Sequence, residues 1–383
     1  MTTRFAPTAL MLGNIVTGCA ILAPAGMLSE LSESLDVSIR TAGLLITFGA
    51  VVLCIGSPVT AWLTGRIERR TLLTSVLAVL AITNVASAFA PDYSSLLAIR
   101  LIMLAVGVIY TPQAAGTAAL IVPVEKRGSA IAYVFLGWSL AAAVGLPLIT
   151  YVASRFGWQT AYAGIGALGF VSFLLLLWRL PGGLMAPPVA LKTWLDLGRN
   201  RMVVLLLSIT VLQTSGQFSV FTFMGPLLKK LTDAGPDAIG LVFALYGVFG
   251  FVGIAFATRI VDSWGAYRTS LLFTSLIFIG ITGWALGAGI YLLMAISVAI
   301  WGIGFAATNS MQQVRLVAAA PPLAPASVSL NTSVLYVGQA IGSAVGGVLY
   351  AGDLLHTIGF VGATFVALAL AIVVMTRPRS SGG

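Results

Sequence analysis

The sequence predicts an all-α integral membrane protein of twelve transmembrane helices in two pseudo-symmetric six-helix bundles. Three observations carry that expectation. Apolar residues make up 59% of the 383-residue chain and charged residues only 8%, whereas a soluble domain needs about a quarter of its residues charged to cover its surface. Apolar runs of about 20 residues, the length that crosses a roughly 30 Å hydrocarbon core, recur along the whole chain. A short loop pattern after the second run returns after the eighth, 197 residues on, between Gly65 and Asp262.

The spans are expected near 8–28, 41–64, 71–90, 94–122, 129–152, 159–178, 202–228, 238–260, 269–288, 290–314, 326–351 and 356–376, each bounded by charged or turn-forming residues. Pro24 interrupts the small-residue stretch that follows the first run, so that run reads as a retained span and not a cleaved signal. The net charge of +9 would suggest nucleic acid in a soluble protein. Here the basic residues sit in short loops, and membrane topology accounts for them, leaving no nucleic-acid partner to invoke.

With the N-terminus inside, cytoplasmic segments hold Arg4, Arg66, Arg69, Arg70, Lys126, Arg127, Arg179, Lys192, Arg199, Arg201, Arg259, Arg268, Arg315, Arg377 and Arg379. Outer loops hold only Arg40, Arg155, Lys229 and Lys230. That asymmetry places both termini on the cytoplasmic side of the membrane.

The longest connection, 179–201, separates an N-terminal bundle (1–178) from a C-terminal one (202–383). Its Leu191, Trp194 and Leu195 between basic flanks read equally as a helix lying on the leaflet or as a plain linker. Two like halves around a midplane site suit a transporter.

Span four carries Arg100 alone among charges within a span, and a stripe of Tyr110, Gln113 and Thr117. The three fall at i, i+3 and i+7, on one helix face. A charge inside a membrane marks a functional site if a partner can be named. The candidates for Arg100 are Asp92, main-chain carbonyls or water; the alternative is that it snorkels to the outer interface, about 9 Å away.

All eleven acids fall in or beside loops, and His356 is the only histidine. Cys19 and Cys54 lie in apolar spans without ligand spacing. No metal site, cofactor or catalytic constellation is expected, which argues against an enzyme. The chain is expected to act as a monomer on a small-molecule substrate within the lipid bilayer.

In the loop after span two, Ala61 to Arg70 keeps Arg66, Arg69 and Arg70, with Gly65 and Glu68 where a known motif has Asp and Gly. The second copy retains Asp262 and Gly265. Span five holds Gly137, Ala141, Gly145 and Pro147, followed by Phe156-Gly-Trp-Gln. Thr222-Phe-Met-Gly-Pro226 and the stretch Leu330 to Gly342 complete the pattern. Together these resemble the major facilitator superfamily, and within it the twelve-span drug:proton antiporter branch that includes sugar and purine efflux permeases. Arg100 is similar to the arginine of that family's span-four motif, though Met103 and Leu104 depart from it.

The resemblance implies the major facilitator fold, with spans one, four, seven and ten lining a central cavity. The polar residues there are Asn14 and Thr17, then Arg100, Tyr110, Gln113 and Thr117, then Gln213 and Gln217, then Trp301, Asn309 and Gln312. Amides offer donors and acceptors to a polar ligand, and Tyr110 and Trp301 offer flat apolar surface. The resemblance also implies that Arg66, Glu68, Arg69, Arg70, Asp262 and Gly265 help latch the cytoplasmic side. It further implies that span five, with Gly137, Gly145 and Pro147, and span eleven, with Gly338 and Gly342, face one another across the interface between the halves.

The function so implied is secondary active export of a small polar or amphipathic organic compound. Proton coupling normally uses an intramembrane acid or histidine, and none is present mid-span. Facilitated diffusion, coupling through a boundary acid such as Asp92 or Asp36, and coupling to the substrate's own charge all stay open. The rivals are an uptake facilitator and a non-transporting sensor on the same fold.

Overall fold

The computed structural model describes residues 5–64, 66–123, 127–185, 198–320 and 324–377. Among them, twelve helices are long and apolar enough to cross a membrane. Their outward faces carry large apolar side chains such as Ile55, Ile82, Phe170 and Leu292. So continuous an apolar exterior suits lipid and not water. The segment of the 179–201 connection that could lie on the leaflet falls outside the described residues, as does Gly65.

Prolines set the interruptions. Span four is not one continuous helix but two pieces, Tyr93–Gly107 and Tyr110–Leu120. Pro112 has no N–H to offer the Val108 carbonyl one turn back, so the ladder breaks at Val108 and Ile109. Span seven divides in the same way, into Arg201–Phe221 and Met224–Thr232. There Pro226 leaves the Thr222 carbonyl without its donor. Span five answers Pro147 differently: a π turn over Ala141–Gly145 precedes the helix Leu146–Phe156, with the Leu146 N–H donating to the Ala141 carbonyl. A single wide turn absorbs the lost bond without ending the helix.

Spans eight and nine, expected as separate helices, meet within Pro236–Leu286 at a kink whose one non-helical residue is Gly265, at φ 78°. Only glycine takes that backbone region without strain, so the turn between the two spans is compressed into a single residue. The side chain of Asp262 lies outside the described residues.

The chain forms two compact units, Met1–Val189 with Gly235–Ala244, and Ala190–Ala234 with Leu245–Gly383. The start of span eight therefore groups with the first unit, and Asp237 there pairs with Arg155 at the end of span five at 3.5 Å. Inside the first unit, span one packs on spans five and six, and span three lies along span six. Inside the second, span seven packs on spans eleven and twelve.

Small residues make these approaches close. A Cβ on Gly137 would stand 2.5 Å from the Met11 carbonyl oxygen, and one on Gly145 would strike the Cys19 sulfur. A Cβ on Gly338 would stand 2.5 Å from the Val211 oxygen, and one on Gly342 would strike the Ser215 oxygen. Span five gives its small face to span one, and span eleven gives its face to span seven. Lipid supplies no hydrophobic drive between helices, so backbone proximity and dispersion hold such pairs together.

Candidate functional site

In the first unit, Asn14 is fully buried at the centre of a relay. Its Nδ2 donates to the Val134 carbonyl at 2.9 Å, and its Oδ1 accepts from the Thr111 hydroxyl at 2.7 Å. The Trp138 Nε1 donates to that same hydroxyl at 3.1 Å. The relay joins spans one, four and five. Thr111 and Trp138 were not among the residues singled out from the sequence. The signal for Thr111 was its place one residue past Tyr110, on the neighbouring face, where the break in span four turns it towards span one.

The span-four stripe is not a uniform polar face. Tyr110 is fully buried against Gly13, and its hydroxyl donates to the Leu10 carbonyl at 3.2 Å. Thr117 and Thr17 donate back to their own helices, to the Gln113 and Gly13 carbonyls at 2.7 and 2.9 Å. Gln113 is only half-buried, and its Nε2 reaches Thr64 Oγ1 at the end of span two at 3.4 Å. Gln113 is the member of the stripe with a side chain still reaching outward.

Arg100 neither snorkels nor pairs with Asp92. It is 2% exposed, and its Nε, Nη1 and Nη2 donate to the carbonyls of Leu45, Ala20 and Ile21 at 3.0, 3.0 and 2.9 Å. Pro24 explains the choice. It sits inside the helix Ala6–Gly26 and has no N–H to give the Ala20 carbonyl four residues earlier. The guanidinium supplies the donor that the proline withholds. Asp92 is occupied elsewhere, capping the helix by accepting from the Ser95 N–H at 2.8 Å.

In the second unit, Gln217 Oε1 accepts from Trp301 Nε1 at 2.7 Å. Trp301 is fully buried, with Tyr246 edge-on at 5.2 Å and Phe221 edge-on at 6.3 Å between ring centroids. A second relay runs from the Thr210 hydroxyl to Asn331 Oδ1 at 2.7 Å, and from Asn331 Nδ2 to Asn309 Oδ1 at 3.0 Å. It joins spans seven, eleven and ten. Gln213 is 3% exposed, and its buried Oε1 has no hydrogen-bond partner among the described residues. Native proteins rarely leave such an acceptor unpaired.

Gln312 is spent inside the unit: its Nε2 donates to the Leu206 carbonyl at 3.1 Å, and its Oε1 accepts from Arg315 at 3.4 Å. Arg315 was expected as a loop charge, but it lies in the helix Tyr291–Ala319 and is 8% exposed. Its guanidinium also donates to Thr376 Oγ1 at 2.6 Å and Ser270 Oγ at 3.4 Å, and stands over the Tyr267 ring at 5.6 Å. Its spacing from Gln312, three residues on one helix, was the signal that could have placed it.

The cytoplasmic motif forms a clasp. Glu68 Oε2 accepts from the N–H of Thr71 at 3.1 Å and from its hydroxyl, which caps span three, while Oε1 accepts from the Gly183 N–H at 2.9 Å. Arg69 N–H donates to the Leu184 carbonyl at 2.9 Å and Arg70 Nη2 to the Leu177 carbonyl at 2.5 Å. The buried Arg69 side chain reaches back to the Thr64 carbonyl at 3.5 Å, and Arg66 is exposed. The start of the inter-bundle connection is thereby fixed to the start of span three.

The Thr71 hydroxyl holds the Glu68 carboxyl below its ordinary pKa, helped by the Gly183 and Thr71 N–H groups and by Arg70. A depressed carboxylate stabilises the clasp fully above its ordinary pKa, about 4.3, and loses that contribution as pH falls through the lower folded value. Amide exchange at Gly183, corrected for its intrinsic rate, should be slow at neutral pH and accelerate at the acid end. In Glu68→Ala it should be fast throughout. Unchanged protection in that variant would remove Glu68 from the clasp.

A shallow apolar groove of about 310 Å³ lies between Pro147 and Tyr151 and the span-eight residues Pro236, Asp237, Gly240 and Leu241. It contains none of the amides. Among the described residues, no group of His, Cys, Asp and Glu could hold a metal ion.

The family model described as Major Facilitator Superfamily matches residues 10–329 and 206–383. An inner membrane transport protein, YdhP of Escherichia coli O157:H7, is 31% identical over 378 residues, covering 97% of this chain and 95% of that protein. A probable sugar efflux transporter of Mannheimia succiniciproducens is 26% identical over 352 residues, covering 91% and 87%. Among solved structures, a D-xylose–proton symporter superposes with a TM-score of 0.81 at 15% identity over all of both chains. That likeness speaks for the fold alone. The chain belongs to the Major Facilitator Superfamily and is a multi-pass membrane transporter, not an enzyme.

Proposed function

We propose that this transporter exports a small polar or amphipathic organic compound across the bacterial inner membrane, with both termini cytoplasmic. It works by alternating access of two six-span halves, 1–178 and 202–383, joined by the 179–201 connection. One observation carries the reading. Each half of the sequence holds a relay of amides and hydroxyls that starts from spans the family resemblance assigns to the cavity and reaches span five or span eleven, and each half also holds a tryptophan indole bonded to a polar side chain. Asn14, Gln113, Gln213, Gln217 and Asn309 are the proposed substrate contacts. The clasp at Glu68 and Arg70 and the π turn before Pro147 are the proposed moving parts. The sugar efflux relative supports the outward direction.

Uncoupled facilitated diffusion is a second reading, and a specific observation favours it. Among the described residues the buried charged side chains are Arg69, Arg100 and Arg315, and none is an Asp or Glu that could carry a proton. Inverted vesicles separate the readings. Uptake driven by an imposed proton gradient supports antiport, and uptake indifferent to it leaves the facilitator. Gln217→Trp should cut uptake at least about tenfold at an unchanged membrane level, since it removes the Trp301 acceptor from a packed site. Full activity in that variant would favour a site elsewhere.

A further inference from the structure

We propose that the permeant is a hydroxylated organic acid, a small compound with a carboxylate and hydroxyl donors. The inference rests on the transport reading above and adds the chemistry of what is carried.

The first support is the sign of the buried charge. Among the described residues every buried charged side chain is an arginine. Arg100 is held by three main-chain carbonyls. Arg315 is held by Ser270, Gln312 and Thr376. These acceptors are dipoles, so they solvate the guanidinium groups without cancelling their charge. The two arginines sit in different units, one on span four and one on span ten. Each unit therefore carries a buried positive charge that no buried carboxylate among the described residues offsets.

An anion and a cation of equal size pay similar costs to leave water. The sign of the surrounding field then decides between them. A unit charge about 10 Å away, at an effective dielectric constant of about 20, changes a binding constant by about tenfold relative to a neutral ligand. An organic cation would need a buried carboxylate, and the buried set contains none. The positive interior also fits the chain's lack of a mid-span acid: a permeant anion brings its own negative charge.

The second support is Gln213. Its Oε1 is buried and unpaired, on the same span as Gln217 and four residues from it. An acceptor left open in this way calls for a donor, and a hydroxyl on the permeant supplies one. A carboxylate alone does not.

Gluconate, glucose and glucosamine test the proposal, because they share a hydroxylated scaffold and differ in charge. Dissociation constants would be measured on the purified full-length protein by ligand-induced thermal stabilisation at fixed ionic strength. Gluconate should bind at least about tenfold tighter than glucosamine, with glucose between. Arg315→Gln should shrink the gluconate-to-glucosamine ratio, and Arg315→Lys, which keeps the charge, should retain it. Gln213→Leu should weaken all three alike and leave the ratio unchanged. Glucosamine binding as tightly as gluconate overturns the proposal, as does a ratio unmoved in a folded Arg315→Gln protein. Stabilisation by none of the three also overturns it, while the transport reading still stands or falls on the vesicle flux.

Discussion

Arg100→Gln is expected to lower the thermal stability of the solubilised protein, and Pro24→Ala is expected to restore part of the loss. The guanidinium makes three bonds to main-chain carbonyls on spans one and two. Those of Ile21 and Leu45 lie within helices, where the residues four positions on, Ala25 and Gly49, have N–H groups to offer them. The Ala20 carbonyl has no such donor, because its donor position is Pro24. Losing the arginine leaves that acceptor unsatisfied, at roughly 1–3 kcal/mol for a buried group. Loss of the longer side chain from a packed site adds to the cost. Pro24→Ala returns an N–H to the Ala20 carbonyl, so in the Arg100→Gln background it should recover about 1 kcal/mol. The same substitution in the wild-type background has no orphan to satisfy and should recover nothing. Melting curves of the four proteins give the coupling directly, and a coupling near zero would show that Pro24 and Arg100 act independently.

Gly342→Val should abolish folded protein, whereas Gly164→Val should leave its amount and activity close to wild type. A Cβ at Gly342 would run into the main chain of span seven at Ser215, and backbone in a packed helix has nowhere to go. A Cβ at Gly164 meets nothing within 4 Å. Overpacking of a well-filled site costs about 1–3 kcal/mol when side chains can move, and more when they cannot. Size-exclusion profiles of fluorescently tagged variants would read the difference. A monodisperse Gly342→Val protein at normal yield would show that spans seven and eleven are less tightly apposed than described.

Twelve spans were legible from apolar run length alone, because a helix satisfies its own backbone hydrogen bonds in lipid and needs about 20 consecutive apolar residues to cross it. The interruptions were less so. Pro112, Pro226 and Pro147 are all visible in the sequence, yet the first two end a helix piece and the third produces a π turn. Local sequence gives the missing N–H, and the neighbouring helices decide how the chain absorbs it. The glycine faces show the same limit. Their spacing announces a close approach, but not to which helix.

The candidate site was legible as a set of residue types and not as a set of contacts. Asn14, Gln217 and Asn309 do sit in buried polar relays. Gln217 bonds to Trp301, which the sequence did single out, but Thr111, Trp138 and Asn331 come from faces or spans that no periodicity connects to Asn14 and Asn309. Tyr110, Thr117 and Gln312 carry polar groups that their surroundings already satisfy.

The sequence by itself determined a membrane chain of twelve helices with no acid in the middle of a span, since composition and run length fix both without reference to packing. Tertiary structure alone decided what the buried cations hold. Arg100 meets a carbonyl freed by a proline 76 positions earlier, and Arg315 meets a threonine at the end of the last helix. The reason is physical: a guanidinium can be satisfied by any neutral acceptor, and main-chain carbonyls leave no mark in the sequence until the helices are placed side by side.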